Sequence, residues 1–344
     1  MSAPVRFGLV GAGAIAQTYG AAIEATDGLQ LTAVADLDLA AAHRLAAGSG
    51  AAQFASHLDL AASGLCDAVI VATPPVTHEE VVLGLVELDL PVLCEKPFAT
   101  NGVSARRMAS AARDRGVLVS MASKFRYVDD VHAARQRIEA GDIGDIKLIE
   151  NVFTGVVDMT NRWNVDPNMS GGGVLIDNGT HSVDIVRFLI GGIESVSAVS
   201  GPRLQSVEVE DHVFVSARTE SGALARVETS WSLHKDRADY FALYGTGGVI
   251  ELGWKSSRIR RPLTGAWETF GTGYDKVAAF ANQLLDFASG VRGETPKFLA
   301  TMDDILASVD VVSAAYTSMA TDSRWVDVQG VATGDKVPPR RVVS

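Results

Sequence analysis

Val5-Arg6-Phe7-Gly8-Leu9-Val10-Gly11-Ala12-Gly13-Ala14-Ile15-Ala16 opens the 344-residue chain as a short apolar run, a glycine-rich turn and the start of a helical pattern. The turn has the spacing G-x-G-x-x-A in the strand-turn-helix setting that gives it physical meaning. Gly11 permits a tight turn, Gly13 lets backbone approach a pyrophosphate, and Ala16 allows the helix to pack closely on the strand. Ala12, Ala14 and Ile15 complete the loop, and the helix N-terminus offers oriented N–H groups to the phosphates. Asp36 lies 20 residues beyond Ala16, at the end of a second apolar run. A carboxylate there accepts hydrogen bonds from ribose hydroxyls and repels a 2′-phosphate. Leu37, Asp38 and Leu39 supply no arginine to offset that repulsion, so NAD is expected in preference to NADP.

Working outward, Val5–Val10, Leu29–Ala35, Asp67–Ala72, Pro91–Cys94 and Val117–Met121 read as strands separated by helical periodicity. Ile15, Tyr19 and Ile23 form one helical stripe; Val81, Val82, Leu85 and Val86 form another. This is the grammar of βαβ units and a doubly wound parallel sheet. Thr77 reads as a helix N-cap. Beyond the helix around Asp130–Glu139 and the Gly141–Gly144 turn, the pattern changes to strands in succession, broken by one strong helix over Val174–Leu189. The spacing predicts an α/β chain: a Rossmann domain at 1–124, then an α+β domain at 125–344 with a large, mostly antiparallel, open-faced sheet. Helices over Lys276–Ser289 and Asp303–Ala320 are expected to close it.

The 30 Lys and Arg against 41 Asp and Glu leave a formal charge of −11, with no basic stripe to neutralise a phosphate backbone. Nucleic acid is therefore an unexpected partner. No apolar run reaches membrane-spanning length and Met1–Arg6 lack a leader pattern, so a cytoplasmic protein is expected. Cys66 and Cys94 stand apart from any paired-cysteine spacing and read as buried, inert thiols.

Two further stretches carry chemistry. Cys94-Glu95-Lys96-Pro97 ends a parallel strand, where ligands of doubly wound sheets sit, which puts Lys96 beside the cofactor. Lysine there can donate to a carbinol or ketone oxygen as charge develops on it. Gly171-Gly172-Gly173 precedes Asp177, His181 and Asp184, whose i, i+4, i+7 spacing predicts one helix side. Oxidising an alcohol requires a base for the hydroxyl proton, and histidine suits neutral pH. His181 is the candidate base, with Asp177 orienting it or touching substrate. A structural Asp-His pair and a metal site are the competing readings; no second histidine or cysteine lies nearby, so no metal is expected.

The fingerprint, Thr73-Pro74 with His78, Glu95-Lys96-Pro97, and Gly-Gly-Gly followed by Asp177-x-Gly179-x-His181-x-x-Asp184 together resemble the glucose-fructose oxidoreductase / inositol dehydrogenase / MocA family. The resemblance covers essentially the whole chain. It implies that Lys96, Asp177 and His181 are a catalytic triad, that Thr73, Pro74, His78 and Glu95 lie along the nicotinamide and its ribose, and that the open sheet makes a homodimer or homotetramer. Lys124-Phe125-Arg126-Tyr127 departs from the Asn/Arg-rich family version.

Lys124, Arg126, Arg162, Trp163 and Asn178 flank the domain boundary or the catalytic helix and are the candidate substrate contacts. The resulting expectation is an NAD-dependent dehydrogenase acting on a ring carbinol of a sugar or cyclic polyol. A nucleotide-sugar dehydrogenase or ketoreductase uses the same residues, and a redox-neutral glycosidase is a third variant. An NAD-sensing protein without turnover is the reading from another class; it has no need of Lys96, Asp177 and His181 together.

Overall fold

The structure, a computed structural model, describes residues 3–328. Met1, Ser2 and the 329–344 end of the expected second domain lie outside the described residues.

Six short strands form the first sheet: β1 Val5–Val10, β2 Leu29–Ala35, β3 Ala52–Phe54, β4 Ala68–Val71, β5 Val92–Cys94 and β6 Val119–Met121. Their order, β3-β2-β1-β4-β5-β6, and wholly parallel pairing make a doubly wound sheet. The order in which strands are added reverses between β1 and β4, which opens a crevice at their carboxyl ends. The strands are apolar almost throughout, because helices cover both faces and leave no side for water. β3 was not foreseen from sequence. It is three residues long at the sheet edge, too short to show a period.

The second sheet holds β7 Ile146–Thr154, β8 Ile193–Ser200, β9 His212–Thr219, β10 Leu224–Ser230, β11 Asp239–Gly245, β12 Val249–Gly253, β13 Ser257–Arg260, β14 Trp267–Gly271 and β15 Val326–Asp327. Their order is β14-β13-β12-β11-β7-β10-β9-β8-β15. Every pairing is antiparallel except β7 with β10, so the expectation of a mostly antiparallel sheet holds. In β9, Val213, Val215, Ala217 and Thr219 are buried while the residues between them face outward. That alternation is the mark of a sheet covered on one side.

Helix Lys276–Val291 does not stay with the second sheet. Phe280, Leu284, Phe287 and Ala288 enter the same core as Phe7, Leu9, Tyr19 and Ile23. Helix Met302–Ala320 straddles both layers: Ile305 and Val309 pack with the first, Val311, Val312 and Ala315 with the second. The far end of the sequence thus closes the first domain and clamps it to the second.

Candidate active site

The crevice between the two sheets is a cleft of about 1330 Å³. It exceeds the roughly 300–1,000 Å³ of a typical single-ligand site, leaving room for a dinucleotide and a second molecule. Gly11, Gly13, Ala14, Ile15 and Asp36 line one end. Gly11 has φ +93°, and a Cβ would lie 2.7 Å from the Ala72 carbonyl oxygen, so only glycine fits the turn. A Cβ on Gly13 would meet no protein atom, because it would point into the cleft. No side chain caps the helix that follows, Ala14–Glu24, and no acidic residue occupies its first turn. Its N–H groups are therefore free for an anion. Ala12 is turned inward, and its N–H donates to Asp36 Oδ2 at 2.6 Å while Asp38 N donates to Oδ1 at 2.8 Å. The loop and the second strand are thereby tied together, with the Asp36 carboxylate held at the cleft wall. These features fit a pyrophosphate and an adenosine ribose.

At the other end, Thr73, Pro74, Glu95 and Lys96 line the cleft from the first sheet; Asp177, Asn178 and His181 line it from the second. Glu95 Oε1 accepts from the Tyr19 hydroxyl at 2.7 Å, and its Oε2 from the Lys96 N–H at 3.0 Å. Burial raises its pKa, partly offset by the Lys96 ammonium. Lys96 Nζ is ion-paired with the Asp177 carboxylate and lies 3.4 Å from the Asp177 carbonyl. Burial works against its charge, but Asp177 and Glu95 outweigh this and raise the pKa, so Lys96 is a cation. His181 is pushed well below the usual imidazole range by burial and by the nearby Lys96 and Lys124 charges, so it is a neutral acceptor at pH 7. Asp177 engages Lys96; the edge of Phe125, 5.3 Å from His181 between centroids, packs the imidazole instead. Burial and the Lys96 charge lower Lys124 to about 8.

The stretch that carries Asp177 and His181 is not the plain α-helix expected over Val174–Leu189. Leu175–Gly179 is a π turn, followed by the α-helix Thr180–Ile190. Such turns are frequent at functional sites. The glycines before it are packing requirements: a Cβ would lie 2.8 Å from Thr100 Cβ at Gly171, 2.0 Å from the Tyr316 hydroxyl at Gly172 and 2.0 Å from the Glu210 carbonyl at Gly173. Glu210 holds the turn. Its Oε1 accepts Gly173 N at 3.0 Å, Leu175 N at 3.2 Å and the Tyr316 hydroxyl at 2.7 Å, and its carbonyl accepts Val174 N at 2.9 Å.

Three expectations need correction. His78 is fully buried and does not reach the cleft; its Nδ1 faces the Pro97 and Phe98 carbonyls at 3.0 and 3.3 Å and its Nε2 the Thr73 carbonyl at 2.9 Å. It fastens Thr73 to the turn after Lys96, a positioning task. Arg126 is 3% exposed and makes a bidentate pair with Asp184 plus a contact to Asp304, so it is spent on structure rather than substrate. Asp184 is thus buried in a pair with Arg126 and does not line the cleft beside Asp177 and His181. Thr77 does stand at the N-cap of the helix His78–Glu87, as expected, but its side chain does not cap it: the hydroxyl donates to the Pro74 carbonyl and lies 2.8 Å from that of Thr73. Lys124, Arg162, Trp163 and Asn178 do line the cleft. Sequence reasoning missed Phe125, Phe153, Trp231, Trp254 and Tyr274, which also line it. Phe125 adjoins the expected Lys124, whereas the other four come from distant strands and loops and nothing local marks them.

Cys66 and Cys94 are buried and unpaired, and burial raises both thiols, Cys66 to about 11. Among the described residues no group of three His, Cys, Asp or Glu is placed to hold a metal, and no helix is long and apolar enough to cross a membrane.

A two-domain NAD-binding oxidoreductase is the class that this fold and cleft define. Residues 5–123 match the family model for an oxidoreductase family with an NAD-binding Rossmann fold, and residues 131–251 match the GFO/IDH/MocA C-terminal domain. Over 332 residues the chain is 29% identical to the rhizopine catabolism protein MocA of Rhizobium meliloti, covering 92% of this chain and 96% of that one. It is 30% identical to 1,5-anhydro-D-fructose reductase of Ensifer adhaerens over 71% of this chain and 74% of that one. The crystal structure of an NAD binding oxidoreductase from Klebsiella pneumoniae superposes with a TM-score of 0.86 at 25% identity, covering 96% of this chain and 100% of that one. The chain belongs to the Gfo/Idh/MocA oxidoreductase family, and NAD is its cofactor.

Proposed function

We propose that the protein is a dehydrogenase of a ring carbinol in a sugar or cyclic polyol, with Lys96 and His181 handling the reacting oxygen. The observation that carries this reading is the meeting of Lys96 from the first sheet with Asp177 and His181 from the second, in the cleft that begins at the glycine-rich loop. When bound, NAD supplies the hydride acceptor. Lys96 donates a hydrogen bond to the substrate oxygen and stabilises the negative charge that grows there as the hydroxyl proton is removed or, in the reverse direction, as hydride adds to the ketone. Neutral His181 takes the hydroxyl proton, and in the reverse direction returns it to the alkoxide. Asp177 holds the Lys96 ammonium in place and keeps it charged. Glu95, buried beneath Lys96 and bonded to Tyr19, fixes the backbone from which the lysine projects.

The names of the relatives, a sugar reductase and a rhizopine catabolism protein, support a polyhydroxylated ring as substrate. A cytoplasmic setting goes with this reading. So does a homodimer or homotetramer formed through the outer face of the second sheet, where Val199 and Leu224 stand exposed. The test is absorbance at the reduced-nicotinamide band with NAD and a panel of inositols, aldoses, glycosides and nucleotide sugars. A signal from one ring class is the expected result; silence with NAD bound returns the chain to a sensor that does not turn over.

A further inference from the structure

Phe125, Phe153, Trp254 and Tyr274 come from separate elements yet form one continuous aromatic surface inside the cleft. It starts at His181, against which Phe125 packs edge-on. Phe125 stacks on Phe153 at 4.9 Å and on Tyr274 at 5.2 Å, and Trp254 lies 6.0 Å from Phe153 and 5.8 Å from Tyr274. Phe125 and Phe153 are buried whereas Trp254 is 40% exposed, so the wall runs from the reacting end toward solvent. Tyr274 lines the cleft, and its hydroxyl is buried with no hydrogen-bond partner among the described residues. Lys124 Nζ is the polar group over this stretch, 5.3 Å from the Phe125 centroid and 5.7 Å from that of Tyr274.

The outer part of the wall is built to hold its shape. The Tyr274 N–H donates to the Trp254 carbonyl at 3.1 Å, and the Trp254 N–H to the Ala238 carbonyl at 3.0 Å. Buried Asp130 accepts from the Ser257 hydroxyl, from Gly273 N at 2.9 Å and from Thr272 N at 3.2 Å, which pins both loops that carry these rings. A surface pre-organised in this way loses little freedom on binding.

A free cyclic polyol carries hydroxyls around its whole rim, and those pressed on this wall would give up water without gaining partners. A sugar whose anomeric oxygen carries a flat ring behaves differently: its hydroxyls meet Lys96, Lys124 and His181, and its aglycone meets aromatic faces. We propose that the substrate is a glycoside with a flat ring as aglycone, the sugar at Lys96 and His181 and the aglycone stacked on Tyr274 and Trp254. This rests on the sugar-dehydrogenase reading and names its substrate class.

The test uses the whole protein with NAD and compares phenyl and methyl glycosides of glucose, galactose and mannose with the free sugars and myo-inositol. One phenyl glycoside should exceed its methyl partner about tenfold in kcat/KM, the factor expected of one good aromatic stack. Trp254→Ala should shrink that ratio severalfold, with NAD binding retained as the check on folding. Calorimetric binding of the same pairs to the NAD complex separates the two readings. A phenyl preference that depends on Trp254 without any reduction of NAD would sink the dehydrogenase and keep the aromatic site. Equal or absent binding of phenyl and methyl glycosides, a better free sugar or inositol, or a phenyl preference that survives Trp254→Ala combined with Tyr274→Ala overturns the inference.

Discussion

In the proposed mechanism Lys96 and His181 divide the work at the reacting oxygen, and their surroundings push them in opposite directions. Asp177 and Glu95 keep the lysine protonated, while burial beside two lysines keeps the histidine neutral. Lys96→Ala should therefore lower kcat by about 10²–10³, the range for loss of one pre-organised donor, while NAD still binds; near-normal turnover would remove Lys96 from the mechanism. The pH dependence has a definite sign. With His181 as the proposed base, its neutral form is the one required for oxidation, and its pKa lies below the ordinary value of about 6.5. The acid limb of kcat/KM should consequently fall below pH 6.5, with no loss on going from pH 8 to pH 7 on account of this residue. A limb centred at or above pH 7 would mean that another group is the base.

At the scale of the element, the π turn Leu175–Gly179 is held by a carboxylate that belongs to a different segment. Glu210 satisfies two N–H groups that the turn itself leaves open, and Tyr316 secures Glu210. Glu210→Ala leaves those N–H groups buried and unpaired, a loss of about 1–3 kcal/mol. It should lower the melting temperature and reduce kcat more than it raises KM, since Asp177 then drifts from Lys96. Glu210→Gln, whose amide oxygen can still accept, should recover most of both. If Glu210→Ala melts early yet turns over normally, the clamp serves the fold alone.

Across the whole molecule, Lys276–Val291 shows that the two domains are not independent bodies. Phe287, fully buried, packs with Phe7 of β1 at 6.3 Å between ring centroids. Phe287→Ala should cost about 3–5 kcal/mol in a denaturant titration, as core phenylalanines do, and weaken NAD binding although it lies far from the glycine-rich loop in sequence. A change under 1 kcal/mol would mean that the first sheet holds together without this helix.

What the sequence by itself determined is whatever chemistry and period can specify locally. Gly11, Gly13 and Asp36 could be read because a turn with φ +93° and a carboxylate at a strand end follow from a few neighbouring residues. Lys96 at a strand end was legible for the same reason, as were most of the longer strands, whose periods of burial run in an unbroken row. Tertiary structure decided the rest. Arg126 looks like a ligand for an anion until Asp184 and Asp304, far along the chain, are seen to neutralise it. His78 looks like a cofactor contact until three carbonyls enclose it. The aromatic wall, the Glu210 clamp and the return of Lys276–Val291 to the first sheet each join residues that no local pattern connects. Side-chain pairing over long sequence separations depends on where strands and helices come to lie, and that is set by the packing of the entire core.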